Sequence, residues 1–157
     1  MDEIRELDHT DRRILQHLQE NGRLMNLELA NAVNLSASPC LRRVKRLENE
    51  GYIQRYAAIV DPEKMGLDVT AFTRVTLEKH NIAQLDSFQE AVSAWPEVME
   101  CYLMTGEIDF QLRVLVASMR AYERFLREKL YTIDGISKVQ TSFSFRPIVY
   151  RTALPTS

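Results

Sequence analysis

The stretch Asn34-Leu35-Ser36-Ala37-Ser38-Pro39-Cys40-Leu41-Arg42-Arg43-Val44-Lys45-Arg46-Leu47-Glu48-Asn49-Glu50-Gly51-Tyr52-Ile53 decides the fold of the N-terminal third. Asn tolerates positive φ better than most non-glycine residues, so Asn34 suits a tight turn. Ser36 or Ser38 can cap a helix, and Pro39 falls in its first turn, where a missing N–H costs little. Leu41, Val44 and Leu47 recur at helical spacing as an inward stripe. Arg42, Arg43, Lys45 and Arg46 then point elsewhere, mostly to the opposite face. Gly51 stops the helix, and Tyr52-Ile53 begins a strand that serves as wing or hinge. A helix over residues 38–49 is about 18 Å long and suits a major groove about 12 Å wide. Turn, cap, basic helix and stop together read as the recognition helix of a helix-turn-helix.

Upstream, Asp8 is placed to cap a first helix and Asp11 to add negative charge to its first turn. Ile14, Leu15 and Leu18 share one face, and Asn21-Gly22 ends the helix with a left-handed glycine. Asn26 is the expected cap of a short second helix that buries Leu29, Ala30 and Val33. The charge is local. The chain as a whole carries −2, yet residues 34–56 hold Arg42, Arg43, Lys45, Arg46 and Arg55 against Glu48 and Glu50, a balance of +3. Screening confines attraction to about 8–10 Å, so this patch outweighs the distant total. Each Arg can bind a guanine edge or merely clamp phosphate. The serines are caps first, and can also touch phosphate or a base. The candidate DNA contacts are thus Ser36, Ser38, Pro39, Arg42, Arg43, Lys45 and Arg46.

In 157 residues, an apolar share of 45% suits a soluble chain with a real core. No apolar run approaches a membrane span, and the charged start Met-Asp-Glu-Ile-Arg-Glu-Leu is no signal peptide. Cys40 and Cys101 lie far apart, which suggests no disulfide and a cytoplasmic protein, and the DNA reading makes it nucleoid-associated. Cys40 is expected beside Val44, and Cys101 as a small core residue within a strand. His9, His17 and His80 lack metal spacing. No nucleophile–base pair, P-loop or dinucleotide motif appears, so no catalytic residue, metal or cofactor is expected.

Asp61-Pro62 and Lys64-Met65-Gly66 form the expected domain junction. Beyond it, Val69 to Glu78 alternates as a strand. Ile82, Leu85, Phe88, Val92 and Trp95 mark a helix that Pro96 ends. Strands follow at Val98 to Thr105 and Phe110 to Ala117, joined by Gly106-Glu107-Ile108-Asp109. Met119, Tyr122, Phe125, Leu126 and Leu130 mark a second helix. Asp134-Gly135 leads into a strand at Val139 to Phe145, and Ile148 to Thr152 can add a fifth. The order β-α-β-β-α-β is the split βαβ, or ferredoxin-like, plan. Its second sheet face keeps some apolar side chains, so a homodimer through this domain is expected. The fold class is α+β, with a winged helix-turn-helix of three helices plus a short strand over 1–60, joined to a ferredoxin-like domain over 61–157.

Leu7-Asp8 with Asp11 and Ile14-Leu15, Asn21-Gly22-Arg23, the run Leu35 to Glu48, Gly51-Tyr52-Ile53 and Gly106 to Phe110 form a signature. On these the chain resembles the Lrp/AsnC, or feast/famine, family of transcriptional regulators over nearly its whole length. Asn34 departs from the family's usual Gly, as Ser142 and Ser144 depart from bulkier residues. The resemblance implies double-stranded promoter DNA as partner, homodimers assembling to octamers, and a small amino-acid effector bound between regulatory domains. It implies effector contacts at Gly106, Glu107, Ile108 and Asp109, at Thr141, Ser142, Phe143 and Ser144, and nearby at Leu103 and Met119. In chemical terms, Asp109 can pair with the effector's ammonium, or instead cap backbone N–H groups and touch no ligand. Backbone N–H groups around Gly106 can take the carboxylate.

The leading expectation is a sequence-specific regulator whose DNA binding or assembly follows an amino acid. Two other classes stand beside it: an architectural, chromatin-like DNA-binding protein of low sequence preference, and a metabolite-binding protein or enzyme using the ferredoxin-like domain.

Overall fold

The computed structural model describes residues 6–78 and 81–156, so His80 and the first five residues lie outside it. The chain divides into two compact units. One runs to Ile59 and takes in the tail from Val149, and the other spans Val60–Ile148. The grouping differs from the expected 1–60 and 61–157 in the tail. There the side-chain amide of Gln19 donates to the Leu154 carbonyl at 3.2 Å and accepts from the Leu154 N–H at 2.6 Å.

Three helices build the first unit: α1 (His9–Glu20), α2 (Asn26–Ala32) and α3 (Ala37–Asn49). Asp8 caps α1 in a reciprocal box with Asp11, because each side chain satisfies the other residue's free N–H. Ile14, Leu29, Ala30, Val33, Cys40 and Leu47 form the core. Asn34 turns the chain between α2 and α3 at φ +58°, the left-handed geometry its residue type allows. Gly51, at φ +77°, ends α3. The Ile53 N–H then bonds the Leu47 carbonyl at 3.1 Å.

Local details differ from expectation. Met25, not Asn26, precedes α2, and Glu28 accepts the Met25 N–H at 3.1 Å. Asn26 instead donates to the Ala37 carbonyl at 2.9 Å, linking the starts of α2 and α3. Gly22 does not take a positive φ. A Cβ there would meet the Tyr56 ring at 3.3 Å, so close approach is the reason for glycine. Leu41 is 42% exposed, and the inward stripe runs through Cys40, Val44 and Leu47. No strand forms at Tyr52-Ile53 among the described residues, because residues 53–60 find no pairing partner within the chain.

The second unit is a four-stranded antiparallel sheet in the order β2-β3-β1-β4, with β1 (Val69–Leu77), β2 (Val98–Leu103), β3 (Phe110–Val116) and β4 (Ile136–Ser144). Helices α4 (Ile82–Ser93) and α5 (Met119–Glu128) complete βαββαβ. Alternation sends Ala71, Val75 and Leu77 of β1, and Phe110, Leu112, Val114 and Val116 of β3, into one core with Phe88, Val92 and Phe125. Thr73 is fully buried within it. Its hydroxyl pairs with the Tyr122 hydroxyl at 2.8 Å, which also reaches the Thr141 hydroxyl at 2.6 Å. Gly135 enters β4 at φ +83°, and a Cβ there would sit 1.4 Å from Gln84.

The fifth strand expected at Ile148 to Thr152 does not form. Pro147 cannot donate to a ladder, and further along the tail the Leu154 backbone bonds Gln19 while the Thr156 carbonyl takes Arg12. The second sheet face is mixed: Phe72 and Leu115 are half-buried, while Arg113 bonds Glu100 at 2.7 Å. Cys101 is exposed, because β2 is an edge strand whose alternate side chains lack cover.

Tyr122→Phe leaves the buried Thr73 hydroxyl without its partner. Chemical denaturation should show a loss of about 1–3 kcal/mol.

Candidate functional site

The outer surface of α3 presents Ser38, Leu41, Arg42, Lys45 and Asn49 to solvent, with Ser36 exposed at its cap position. These positions recur at three- and four-residue steps, so they share one side of the helix. Ser36 occupies the cap but makes no side-chain cap bond, and Pro39 lies half-buried in the first turn.

The four cations do not act alike. Arg43 binds Asp8 at 2.6 Å and Asp11 at 2.8 Å. Arg46 binds Asp11 at 2.5 Å and approaches Glu50 at 3.8 Å. Arg42 and Lys45 are exposed and in no such bridge among the described residues. The stretch of cations is therefore split by helical phase: two face outward and two turn back onto α1. Asp11 is only 1% exposed, and both guanidinium groups offset the cost of burying it. The Asp11 N–H, and then Arg43, hold the Asp8 carboxyl down at about 2. Sequence reading placed Asp8 and Asp11 only in the helix start. Their pairing across α1 and α3 is tertiary and left no local signal. Leu41 and Asn49 were legible: a stripe anchored on Cys40 rather than Leu41 puts both outside.

In the second unit, residues 104–109 turn β2 into β3, closed by a Met104 N–H to Asp109 carbonyl bond at 2.8 Å. Gly106 adopts φ +107° with open space where a Cβ would stand. Glu107 is exposed and Ile108 half-buried. Asp109 is buried, and its carboxylate accepts the Leu77 N–H at 2.7 Å. That carboxylate secures the end of β1, which corresponds to the backbone-capping role.

Leu103 and Met119 are exposed beside the helix-covered side, on β2 and at the start of α5. β4 divides the other expected contacts. Thr141 and Phe143 turn toward α5, where Thr141 bonds Tyr122 and Phe143 packs edge-on against it at 5.2 Å. Ser142 and Ser144 alternate onto the opposite face, opposite Phe72 and Thr70 of β1. One chain thus brings the loop to an open surface and separates Thr141 and Phe143 from Ser142 and Ser144.

Two family models match the chain: winged helix-turn-helix DNA-binding over residues 7–54, and Lrp/AsnC ligand binding domain over residues 70–154. The Bkd operon transcriptional regulator of Pseudomonas aeruginosa is 41% identical over 150 residues, covering 96% of this chain and 98% of that protein. The DNA-binding transcriptional activator DecR of Escherichia coli K12 is 40% identical over 149 residues, covering 95% and 98%. A transcriptional regulator of Neisseria meningitidis, solved as a complex with L-Met, superposes with a TM-score of 0.91 at 43% identity, covering 96% and 97%.

Arg46→Ala strips one cation from buried Asp11 and should cost about 1–3 kcal/mol in thermal or denaturant unfolding. Lys45→Ala, on the exposed side, should stay within about 0.5 kcal/mol. Asp8 is held below its ordinary value of 3.8, at about 2. Its contribution is therefore complete above about pH 4 and is lost as the pH falls toward 2. An acid titration of the helical signal, compared with Asp8→Asn, should show that component disappear in the variant.

Proposed function

The chain belongs to the Lrp/AsnC family of transcription regulators, and on that premise we propose that it reads promoter DNA with the outer side of α3 and answers to a small amino acid beside the Gly106–Asp109 turn. It is a DNA-binding regulator with an amino-acid ligand-binding domain, not an enzyme. The observation that carries the DNA reading is the exposed, outward pair Arg42 and Lys45 on a helix preceded by a tight turn. Both can reach phosphate, and Arg42 can also pair with a guanine edge. Ser36 and Ser38 sit at the helix start, where exposed N–H groups favour an anion. Leu41 adds an apolar surface of the kind that meets a thymine methyl. Arg43 and Arg46 support the helix from behind.

For the effector, an α-amino acid presents an ammonium and a carboxylate. Gly106 leaves the backbone accessible to the carboxylate, while Leu103, Met119 and Phe143 offer apolar surface to a side chain. Asp109 shapes the turn through Leu77 and need not meet the ligand. The L-Met complex of the Neisseria regulator supports this ligand class. The division of these residues between opposite faces of β4 supports a site completed by another subunit. We accordingly assign the mixed sheet face around Phe72 and Leu115 to a homodimer, and higher assembly to an octamer. The effector works through linkage: it shifts whichever assembly or DNA-bound state it binds better.

Lys45→Ala and Arg42→Ala should each weaken binding to the protein's own promoter fragment several-fold with unchanged melting, read by fluorescence anisotropy. Full affinity in both variants would remove the outer side of α3 from the interface. A thermal-shift screen of the twenty amino acids should yield a stabilised hit, worth about 2.7 kcal/mol at a hundredfold excess over Kd. Gly106→Val should abolish that shift. A shift that persists would move the effector elsewhere.

A further inference from the structure

Four cations within five positions of one helix would ordinarily all reach for phosphate. Here two of them are occupied. Arg43 holds two carboxylates and Arg46 holds buried Asp11, with Glu50 at 3.8 Å. Glu48, on the same helix, is engaged by the Tyr56 hydroxyl at 2.9 Å. We propose that Asp8 and Asp11 are positioning residues for DNA recognition: they withhold Arg43 and Arg46 from the phosphate backbone, so that Arg42 and Lys45 set the contact. This rests on the reading of α3 as the DNA-contacting helix.

The charge arithmetic favours withholding. Asp8, Asp11, Arg43 and Arg46 form a cluster of zero net charge. The hollow that holds it, about 510 Å³, is also lined by Glu6 and Arg42. A phosphate approaching Arg43 or Arg46 meets the carboxylates of Glu6 and Asp8 as well. Asp11 is removed from solvent, so salt screens its pairs less than it screens the exposed cations. Geometry adds to this. A guanidinium takes carboxylate or phosphate through the same donors, and here the carboxylates already take Nη1 of Arg43, twice, and Nη2 of Arg46. Released, each arginine would gain a phosphate contact that carries no sequence information. Affinity for any duplex would rise, and the margin for the correct site would shrink.

The test uses the full chain and measures Kd for its own promoter fragment and for a random duplex of equal length over a range of salt concentrations. Asp8→Asn/Asp11→Asn keeps the size of both side chains and the capping ability of position 8. It should steepen the salt slope by about 0.9 for each phosphate gained per subunit, strengthen binding to the random duplex, and lower the specificity ratio several-fold. Asp8→Asn alone, at an exposed position, should give a smaller change of the same sign, and it decides the matter if the double variant does not fold. Adding Arg43→Gln and Arg46→Gln to the double variant should return the slope to that of the unaltered protein. A purely structural role would weaken binding to both duplexes with the slope unchanged. That outcome, or a shallower slope in the double variant, overturns the proposal while leaving the DNA reading intact. Failure of the unaltered protein to bind either duplex overturns both.

Discussion

A carboxylate at 1% exposure, Asp11, anchors the DNA-reading unit. An isolated charge out of water is costly, and it persists only where opposite charges and donors surround it. Two guanidinium groups from α3 and the N–H of Asp8 do so. The requirement runs both ways. α3 can sit against α1 only in a rotation that presents Arg43 and Arg46 to Asp11, and that rotation fixes which residues face outward. The apolar stripe Cys40, Val44 and Leu47 tolerates some sliding, whereas an ion pair between 2.5 and 2.8 Å does not. Packing supplies the stability of this unit, and the charge pair supplies its register.

The sheet unit solves a related problem with neutral groups. Thr73 places a hydroxyl at full burial between apolar neighbours, and Tyr122 carries one partner bond to it from α5 and another to Thr141 of β4. Helix, central strand and edge strand are thereby tied at one point. Asp109 does similar work at the end of β1, joining the strand to the β2–β3 turn through the Leu77 N–H. A turn held so firmly from below keeps Gly106 open above.

Helices and strands were legible because their apolar positions repeat at regular steps: Ile14 with Leu18, and Phe110 through Val116, announce their periods. The turn at Asn34 and the stop at Gly51 were legible because few residue types accept positive φ. The errors fall where two periods compete or where partners are distant. Cys40 and Leu41 are adjacent apolar residues, and choosing the wrong one rotates the stripe by about 100°. The strands expected at Tyr52 and at Ile148 have suitable residues, but strands exist only in pairs, and among the described residues neither segment pairs with another strand. In the candidate sites, residue types singled out one helix and one turn. The division of four cations into free and held, and of β4 into two faces, depends on what lies across the fold.

The clamp between Gln19 and Leu154 has a consequence for synthesis. A ribosome releases the three helices first, then all of Val60–Ile148, and only then the tail that completes the first unit. At about 5–20 residues per second, the helices wait on the order of 5–20 seconds for it. The emerging protein thus spends that interval with α1 uncovered along the Gln19 side, and gains its finished DNA-reading unit only after the regulatory sheet has been made.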